Sequence, residues 1–342
     1  MKKLTAILGL AVLLAASAQV QAKEIILKVA DFLPLPATIN ALVLVPWCDK
    51  ILKESGGKMK CQIYPSMQLG GTPAQLYDQV KDGIADIIWV PPGYTPGRFP
   101  RVGVFELPFM MRNPEGTSRA VWDWVQANDQ AEFKDVHPLA FHVHGPGEFH
   151  MVNKPIKTLA DLKGLRLRGG SPEVNKLLDA LGAVAVDMPA PELPDALSKG
   201  VIDGTVVPWE IVPALKLQEL TKFHSVTDPS EPALYTSVFI LAMNKAKYDS
   251  LPPDMKKVID ANSGAELSDW MGKKFVEGDA LGRKAAVAAG NAINVIPASE
   301  IEKWKKLAQP VIARWVKDVT AKGANGKALL KSARSLIAKY NK

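Results

Sequence analysis

The sequence has few of the residues that metal and redox centres need. It contains two cysteines, Cys48 and Cys61, and five histidines among 342 residues. Neither cysteine has the spacing partners of a zinc site or a redox motif. An even number of cysteines in an exported chain allows one disulfide. A bridge between Cys48 and Cys61 and a pair of buried free thiols both remain open.

The short motifs of common enzyme classes are also missing. There is no G-x-S-x-G elbow, P-loop, H-E-x-x-H helix or dinucleotide glycine fingerprint. His142, His144 and His150 cluster with Glu148 in FHVHGPGEFH, where the first two could chelate a metal, but the sequence fixes no third ligand. We therefore expect no cofactor and no metal, and interpret these histidines as cleft-lining or structural. An exported enzyme stays as an alternative, although no nucleophile–base pair is visible.

The chain also has no large excess of charge of one sign. The formal net charge is +7, and it falls to about +5 if the segment containing Lys2 and Lys3 is removed. No run of Lys and Arg is interleaved with aromatic residues, so we expect no binding to nucleic acid.

Long apolar runs are confined to the N-terminus. Lys2 and Lys3 precede an apolar run over residues 4–16, and Val20-Gln21-Ala22 supplies a cleavage site. This pattern predicts a bacterial signal peptide over residues 1–22, with cleavage after Ala18 and an uncleaved anchor as alternatives. No later segment is apolar enough to cross a bilayer. We expect the mature protein to be soluble and periplasmic.

The rest of the chain alternates strand and helix patterns, which predicts an α/β protein with largely parallel sheets. Its length indicates two domains. Gly83–Asp86 and Gly200–Asp203 share the pattern Gly-x-x-Asp between a helix and an apolar strand, which suggests two lobes with a similar plan. Ala233–Asn244 is long for a strand and suits a segment that passes from one lobe to the other.

Residues 159–170 carry the main candidate for ligand binding. Arg166 and Arg168 lie in a short apolar strand that ends at Gly169-Gly170, and Ser171 and Pro172 predict the start of a helix. Alternation places both arginines on one face of the strand. An arginine beside a helix N-terminus suits the binding of a carboxylate. The alternative is that both arginines face solvent.

Several segments together resemble one family. They are KPIKTLADLKGLRLRGG, LGAVAVDMP, DALSKGVIDGTVVPWE, GGKMKCQIYPSMQLGG and FELPF. These segments resemble the periplasmic solute-binding proteins of TRAP transporters, the DctP-like family, over essentially the whole mature chain.

The resemblance implies a two-lobed periplasmic-binding-protein (Venus-flytrap) fold with a hinge and an inter-lobe cleft. We expect residues 23–146 plus about 236–275 to form lobe I, and residues 147–235 plus about 276–320 to form lobe II. A C-terminal helix would cover about 321–342. The hinges are expected near 145–147 and 233–244.

The resemblance also implies site residues. The second arginine of the family pattern K-G-x-[KR]-x-R, which pairs with the ligand carboxylate, is Arg168 here. The sialic-acid binders of the family have an arginine where this chain has His150, and an asparagine where it has Val207. These departures remove a cation and an amide from the cleft and add apolar surface. Phe32, Trp89 and Trp209, at predicted strand ends, could stack on a ring.

We therefore predict a binding protein that captures an organic monocarboxylate with an aromatic or apolar body, such as a mandelate- or cinnamate-like acid. It would act as a monomer and deliver the acid to TRAP permease subunits. One alternative is a 2-oxo acid bound through a metal ion, with Glu210, Trp209 and Glu148 as candidate residues. Another is a binding protein that serves a sensor kinase.

Overall fold

The computed structural model describes residues 24–341 and forms two β-sheets surrounded by helices. The predicted signal peptide, residues 1–22, lies outside these residues. In chain order the strands are β1 (Ile25–Ala30), β2 (Met59–Tyr64), β3 (Ile87–Val90), β4 (Val136–Val143), β5 (Glu148–Met151), β6 (Arg166–Gly169), β7 (Val184–Asp187), β8 (Gly204–Val207), β9 (Phe223–Thr227), β10 (Val238–Asn244) and β11 (Ala292–Ile296).

The α-helices lie between and after these strands. They are α1 (Val45–Glu54), α2 (Leu76–Lys81), α3 (Pro114–Asn128), α4 (Pro172–Ala180), α5 (Leu193–Ser198), α6 (Leu217–Leu220), α7 (Lys245–Ser250), α8 (Pro253–Ala261), α9 (Gly264–Ala288), α10 (Ala298–Ala321) and α11 (Gly326–Tyr340). Among residues 24–341, no helix combines the length and apolar character that a membrane span requires.

The two sheets have the strand orders β2-β1-β3-β10-β4 and β11-β9-β5-β8-β6-β7. Each contains one strand that runs antiparallel to both neighbours, β10 in the first sheet and β5 in the second. The other nine described strands run parallel within their sheets, as predicted, and the two exceptions are the strands that cross over from the other sheet. The predicted two-lobed α/β fold is confirmed.

The repeated Gly-x-x-Asp pattern has a structural counterpart in each sheet. The Asp86 carboxylate accepts from the Lys28 amide of β1 at 2.8 Å, and the Asp203 carboxylate accepts from the Arg166 amide of β6 at 2.8 Å. The main-chain carbonyl of each aspartate accepts a hydrogen bond from an amide on the crossing-strand side, that of Asn244 or of Val152. An aspartate at the same position of the pattern thus links neighbouring parts of the sheet in each lobe.

Pro46 is the second residue of α1 and changes the form of the turn before it. Residues 39–44 form a wide π-type turn in which the Val45 amide donates to the Asn40 carbonyl, and the regular helix α1 starts at Val45. Proline has no N–H and cannot donate to the preceding turn, so the chain adopts the wider turn there.

Helix α9 runs continuously along both sheets. A Cβ atom at Gly282 would lie 1.8 Å from the Trp209 carbonyl, and one at Gly145 would lie 1.6 Å from Asp279 Oδ2. Only glycine permits such close packing of α9 against the turn after β8 and against the connection between β4 and β5. α9 therefore fixes two segments that border the cleft.

The two cysteines form a disulfide that joins α1 to β2. Their Cα atoms are 5.7 Å apart, and 13 residues separate them in sequence. The open question between a bridge and two free thiols is thus decided in favour of the bridge.

We expect the double variant Cys48→Ser/Cys61→Ser to lose about 3 kcal/mol of unfolding free energy, because the unfolded chain is no longer closed into a loop. Denaturant titration measures the loss, and adding a reductant to the double variant is the control. Unchanged stability would contradict a structural role for the bridge.

Candidate functional site

Arg168 is a buried cation at the end of β6. Its side chain is 4% exposed, whereas that of Arg166, two residues earlier, is 45% exposed and pairs with Asp203 at 2.7 Å. The Arg168 Nε donates to the Met188 carbonyl at 2.8 Å and its Nη2 donates to Tyr94 Oη at 3.3 Å. No carboxylate among residues 24–341 forms an ion pair with it. Burying a charge without a counter-ion is costly, so this site calls for an anion from outside the chain.

Tyr94 links the two lobes beside Arg168. It lies in the loop after β3, and its hydroxyl accepts from the Ala190 amide at 3.0 Å as well as from Arg168. Ser171, the expected N-cap of α4, has extended backbone but makes no capping hydrogen bond with its side chain. The arginine is therefore positioned by a backbone carbonyl and by Tyr94.

Stacked aromatic rings form one wall next to the arginine. Trp89 stacks on Phe239 with ring centroids 4.4 Å apart and on Phe32 at 5.0 Å. Its indole N–H donates to His142 Nε2 at 2.7 Å, so the polar atom of the ring already has a partner. The wall presents apolar ring surface to the cleft.

His144 lies in the first crossing connection and is bonded to the second. Its Nδ1 lies 2.5 Å from the Gly145 carbonyl, and its Nε2 accepts from the Ser237 amide at 3.1 Å. Burial, assisted by the nearby charge of Arg168, lowers the pKa of His144 to about 4. A neutral ring with a proton on Nδ1 satisfies both contacts, so His144 adds no positive charge at neutral pH.

Glu210 carries the acidic group of the site. It lies in the turn 209–211 after β8, and its amide donates to Asp279 Oδ1 at 2.8 Å. Its side chain is buried, and the carboxyl atom Oε2 has no hydrogen-bond partner among the described residues. Burial, together with the charge of Asp279, raises the pKa of Glu210 to about 8. The carboxyl group is therefore mostly protonated at neutral pH.

These side chains surround one small cavity, of about 40 Å³, between the lobes. Five of the residues singled out in the sequence line it, namely Arg168, Val207, Phe32, Trp89 and Glu210. The other lining residues are Leu33, Pro91, Tyr94, His144, Gly170, Ala190, Pro208, Ile211, Tyr235, Ser237 and Phe239.

His150 and Trp209 lie behind this cavity and are not among its lining residues. His150 is fully buried, with its Nδ1 2.7 Å from His224 Nδ1 and its Nε2 3.1 Å from the Val207 carbonyl. The Trp209 ring packs edge-on against His150, with centroids 4.9 Å apart. Both support the strand that carries Val207.

Of the residues considered for a metal-assisted site, only Glu210 lines the cavity. Glu148 does not line the cavity, and its Oε2 accepts from the Thr227 amide at 3.0 Å. Within residues 24–341 no group of three or more His, Cys, Asp or Glu side chains is arranged to hold a metal ion.

His144, one of the histidines expected to be cleft-lining or structural, lines the cavity, and sequence reasoning missed Tyr94 and Phe239 as site residues. Tyr94 lies in a Pro/Gly-rich loop, a common location of binding residues. Phe239 lies within the predicted strand 233–244, whose length could have indicated a position beside the cleft. The observed strand β10 starts at Val238, so residues 233–237 form the connection between the lobes.

The fold and this cavity define a class. Two α/β lobes, connected by crossing segments and closed around an unpaired buried cation, are the architecture of a solute-binding protein for anions. The family model "Bacterial extracellular solute-binding protein, family 7" matches residues 36–318, and the chain belongs to this family.

Solved structures of TRAP solute-binding proteins match closely. One from Rhodoferax ferrireducens T118, in complex with copurified benzoate, is 54% identical, with a TM-score of 0.92 and coverage of 93% of this chain and 98% of that one. A marine metagenome protein specific for aromatic acid ligands, in complex with 3-hydroxybenzoate, is 45% identical, with a TM-score of 0.92 and coverage of 94% and 100%.

A TRAP periplasmic solute-binding protein from Bordetella bronchiseptica, with bound (R)- and (S)-mandelate, is 28% identical. Its TM-score is 0.84, and the match covers 92% of this chain and 99% of that one. The predicted membership of the TRAP solute-binding proteins is confirmed.

The raised pKa of Glu210 makes stability depend on pH. Folding takes up a proton between the ordinary pKa of 4.5 and about 8, so a rising pH destabilises the protein across that window and no further above it. We expect Glu210→Gln to gain a few degrees of unfolding temperature relative to the wild type between pH 5.5 and pH 8, since glutamine has no proton to lose.

Thermal unfolding at both pH values provides the test. Glu277→Gln, which removes an exposed carboxylate of α9, is the control and should follow the wild type. Parallel curves for Glu210→Gln and the wild type would contradict the raised pKa.

Proposed function

We propose that this protein captures a monocarboxylate with an aromatic or apolar body in the periplasm and delivers it to TRAP membrane permease subunits. The observation that carries the proposal is the buried guanidinium of Arg168, which has no ion-pair partner in residues 24–341 and lies beside a wall of stacked aromatic rings.

Arg168 is proposed to bind the ligand carboxylate. Its two hydrogen bonds leave three of the five guanidinium N–H groups for a ligand. A carboxylate can accept two of them side by side. Removal of water when the cleft closes strengthens this ion pair, because the effective dielectric constant falls.

The body of the ligand is proposed to pack against Phe32, Trp89 and Val207. A sugar acid would place hydroxyl groups against these apolar surfaces, at a cost of about 1–3 kcal/mol for each unpaired group. A flat ring instead gains contact with the aromatic wall.

The relatives support the same class of ligand. Benzoate, 3-hydroxybenzoate and mandelate occupy the three related solved structures, and each is a carboxylic acid with one aromatic ring. Identities of 54% and 45% over nearly the whole chain make the first two the stronger support.

We propose ligand contacts for the cavity-lining residues Arg168, Phe32, Trp89, Val207 and Glu210, and a supporting role for His150 and Trp209. The lobe bounds are proposed to be residues 23–146 plus about 236–275 and 147–235 plus about 276–320, with 321–342 as a C-terminal element. The protein is proposed to act as a monomer without catalysis.

Closure is proposed to occur around the two crossing connections. The Gly147 amide donates to the Tyr235 carbonyl, and the Thr236 hydroxyl donates to the His144 carbonyl, so the connections are bonded side by side. Hinges of this kind absorb the backbone rotation while each lobe moves as a unit. The ligand drives closure by binding the closed form more tightly.

We expect Arg168→Ala to weaken the binding of benzoate at least 100-fold, because it removes the charge that pairs with the carboxylate. Arg166→Ala, on the same strand but exposed, should bind like the wild type. Isothermal titration and ligand-induced thermal stabilisation measure both variants. Unchanged affinity of Arg168→Ala would refute the site.

A second expectation concerns the lobe contact. Tyr94→Phe removes the hydroxyl that bonds Ala190 and Arg168 and should weaken benzoate binding about tenfold through a less stable closed form. Tyr248→Phe removes a hydroxyl bonded to Asp260, away from the cavity, and serves as the control. Equal affinities for both variants would rule out this role for Tyr94.

A further inference from the structure

Glu210 is held rigidly at the edge of the cavity. Its turn packs directly on the backbone of α9, where a Cβ atom at Gly278 would lie 2.9 Å from Glu210 Cβ. Asp279 accepts a hydrogen bond from the Glu210 amide at 2.8 Å. The turn that carries Glu210 is thus held in place by helix packing and by a buried hydrogen bond.

One of its two carboxyl oxygens, Oε2, lacks a partner among residues 24–341. Glu210 is 5% exposed, and Oε2 is the one buried side-chain oxygen of the cavity-lining residues that has no hydrogen bond among residues 24–341. The hydroxyls of Tyr94 and Tyr235, in contrast, bond to Ala190 and Val206. Buried polar atoms are nearly always paired, so this oxygen indicates a group on the ligand.

The protonation state of the Glu210 carboxyl limits which chemical group of the ligand can pair with it. Asp279 on α9 is the charged group that acts on Glu210, and burial together with this charge keeps the Glu210 carboxyl mostly protonated. A neutral carboxyl group has one donor and one acceptor oxygen. A hydroxyl group has the same pair of functions and is its complement.

We propose that Glu210 recognises a hydroxyl substituent on the body of the bound acid and makes the site selective for hydroxylated aromatic monocarboxylates. This inference rests on the proposed function, in which Arg168 binds the carboxylate. Glu210 acts at the opposite chemical end of the ligand and leaves the ion pair with Arg168 unchanged. The neighbouring Val207, Pro208 and Ile211 offer no competing side-chain polar group.

Matched ligand pairs test the inference. We compare 3-hydroxybenzoate with 3-methylbenzoate and 4-hydroxybenzoate with 4-methylbenzoate, since methyl and hydroxyl groups are similar in size. The wild type should bind at least one hydroxy acid about tenfold more tightly than its methyl counterpart. Glu210→Leu should abolish or reverse this preference, and Glu210→Gln, which retains a donor and an acceptor, should keep most of it.

Controls separate this role from folding and from the proposed function. Benzoate affinity and the unfolding temperature show whether each variant is folded, and Glu148→Gln, which alters a buried carboxyl outside the cavity, should keep the wild-type preference. All titrations contain EDTA. Equal binding of hydroxy and methyl acids by the wild type, or an unchanged preference in Glu210→Leu, would overturn the inference alone. Failure of every aromatic acid to bind the wild type would overturn the proposed function.

Discussion

A buried guanidinium without a counter-ion is the constraint on which this structure depends. Arg168 is placed by the end of a strand, by the Met188 carbonyl and by Tyr94 from the other lobe. None of these partners carries a charge that could balance it. The chain thus stores an unfavourable electrostatic term that the proposed ligand carboxylate would relieve, and the relief would be largest when the lobes exclude water. Binding and closure are therefore favoured by the same interaction.

The hinge follows from how the two sheets are built. Each sheet receives one antiparallel strand from the opposite lobe, β10 or β5, and the connections that lead to these strands lie next to each other. His144 bonds the second connection through its neutral ring, so the crossing point is held by directed hydrogen bonds and not by charge. Because the His144 ring bonds to Gly145 and Ser237 and not to Arg168, the proposed rotation of the lobes would leave Arg168 in place on its own strand.

The site residues that could be predicted from the sequence are those whose positions follow from local sequence patterns. Arg168, Trp89, Phe32 and Val207 lie at strand ends, where side chains of an α/β sheet reach a cleft, and the aspartates of the Gly-x-x-Asp pattern bond the adjacent strand. The positions that sequence reasoning missed depend on distant pairing. His150 contacts His224, 74 residues later, and local sequence gives no signal for that pairing. Phe239 reaches Trp89 because the crossing strand β10 pairs with β3, and Tyr94 reaches Arg168 and Ala190 across the two lobes.

The charges around the cavity restrict the range of possible ligands more than the aromatic wall does alone. Arg168 supplies one positive charge, while burial keeps His144 neutral and Glu210 mostly protonated near neutral pH. With Arg168 as the proposed carboxylate partner, one ligand carboxylate would balance the cavity, and a second would be left uncompensated in a dry site, where an unpaired charge is costly. An ionised Glu210 would repel even the first. The proposed site thus suits a ligand with a single negative charge, provided that the Glu210 carboxyl stays protonated.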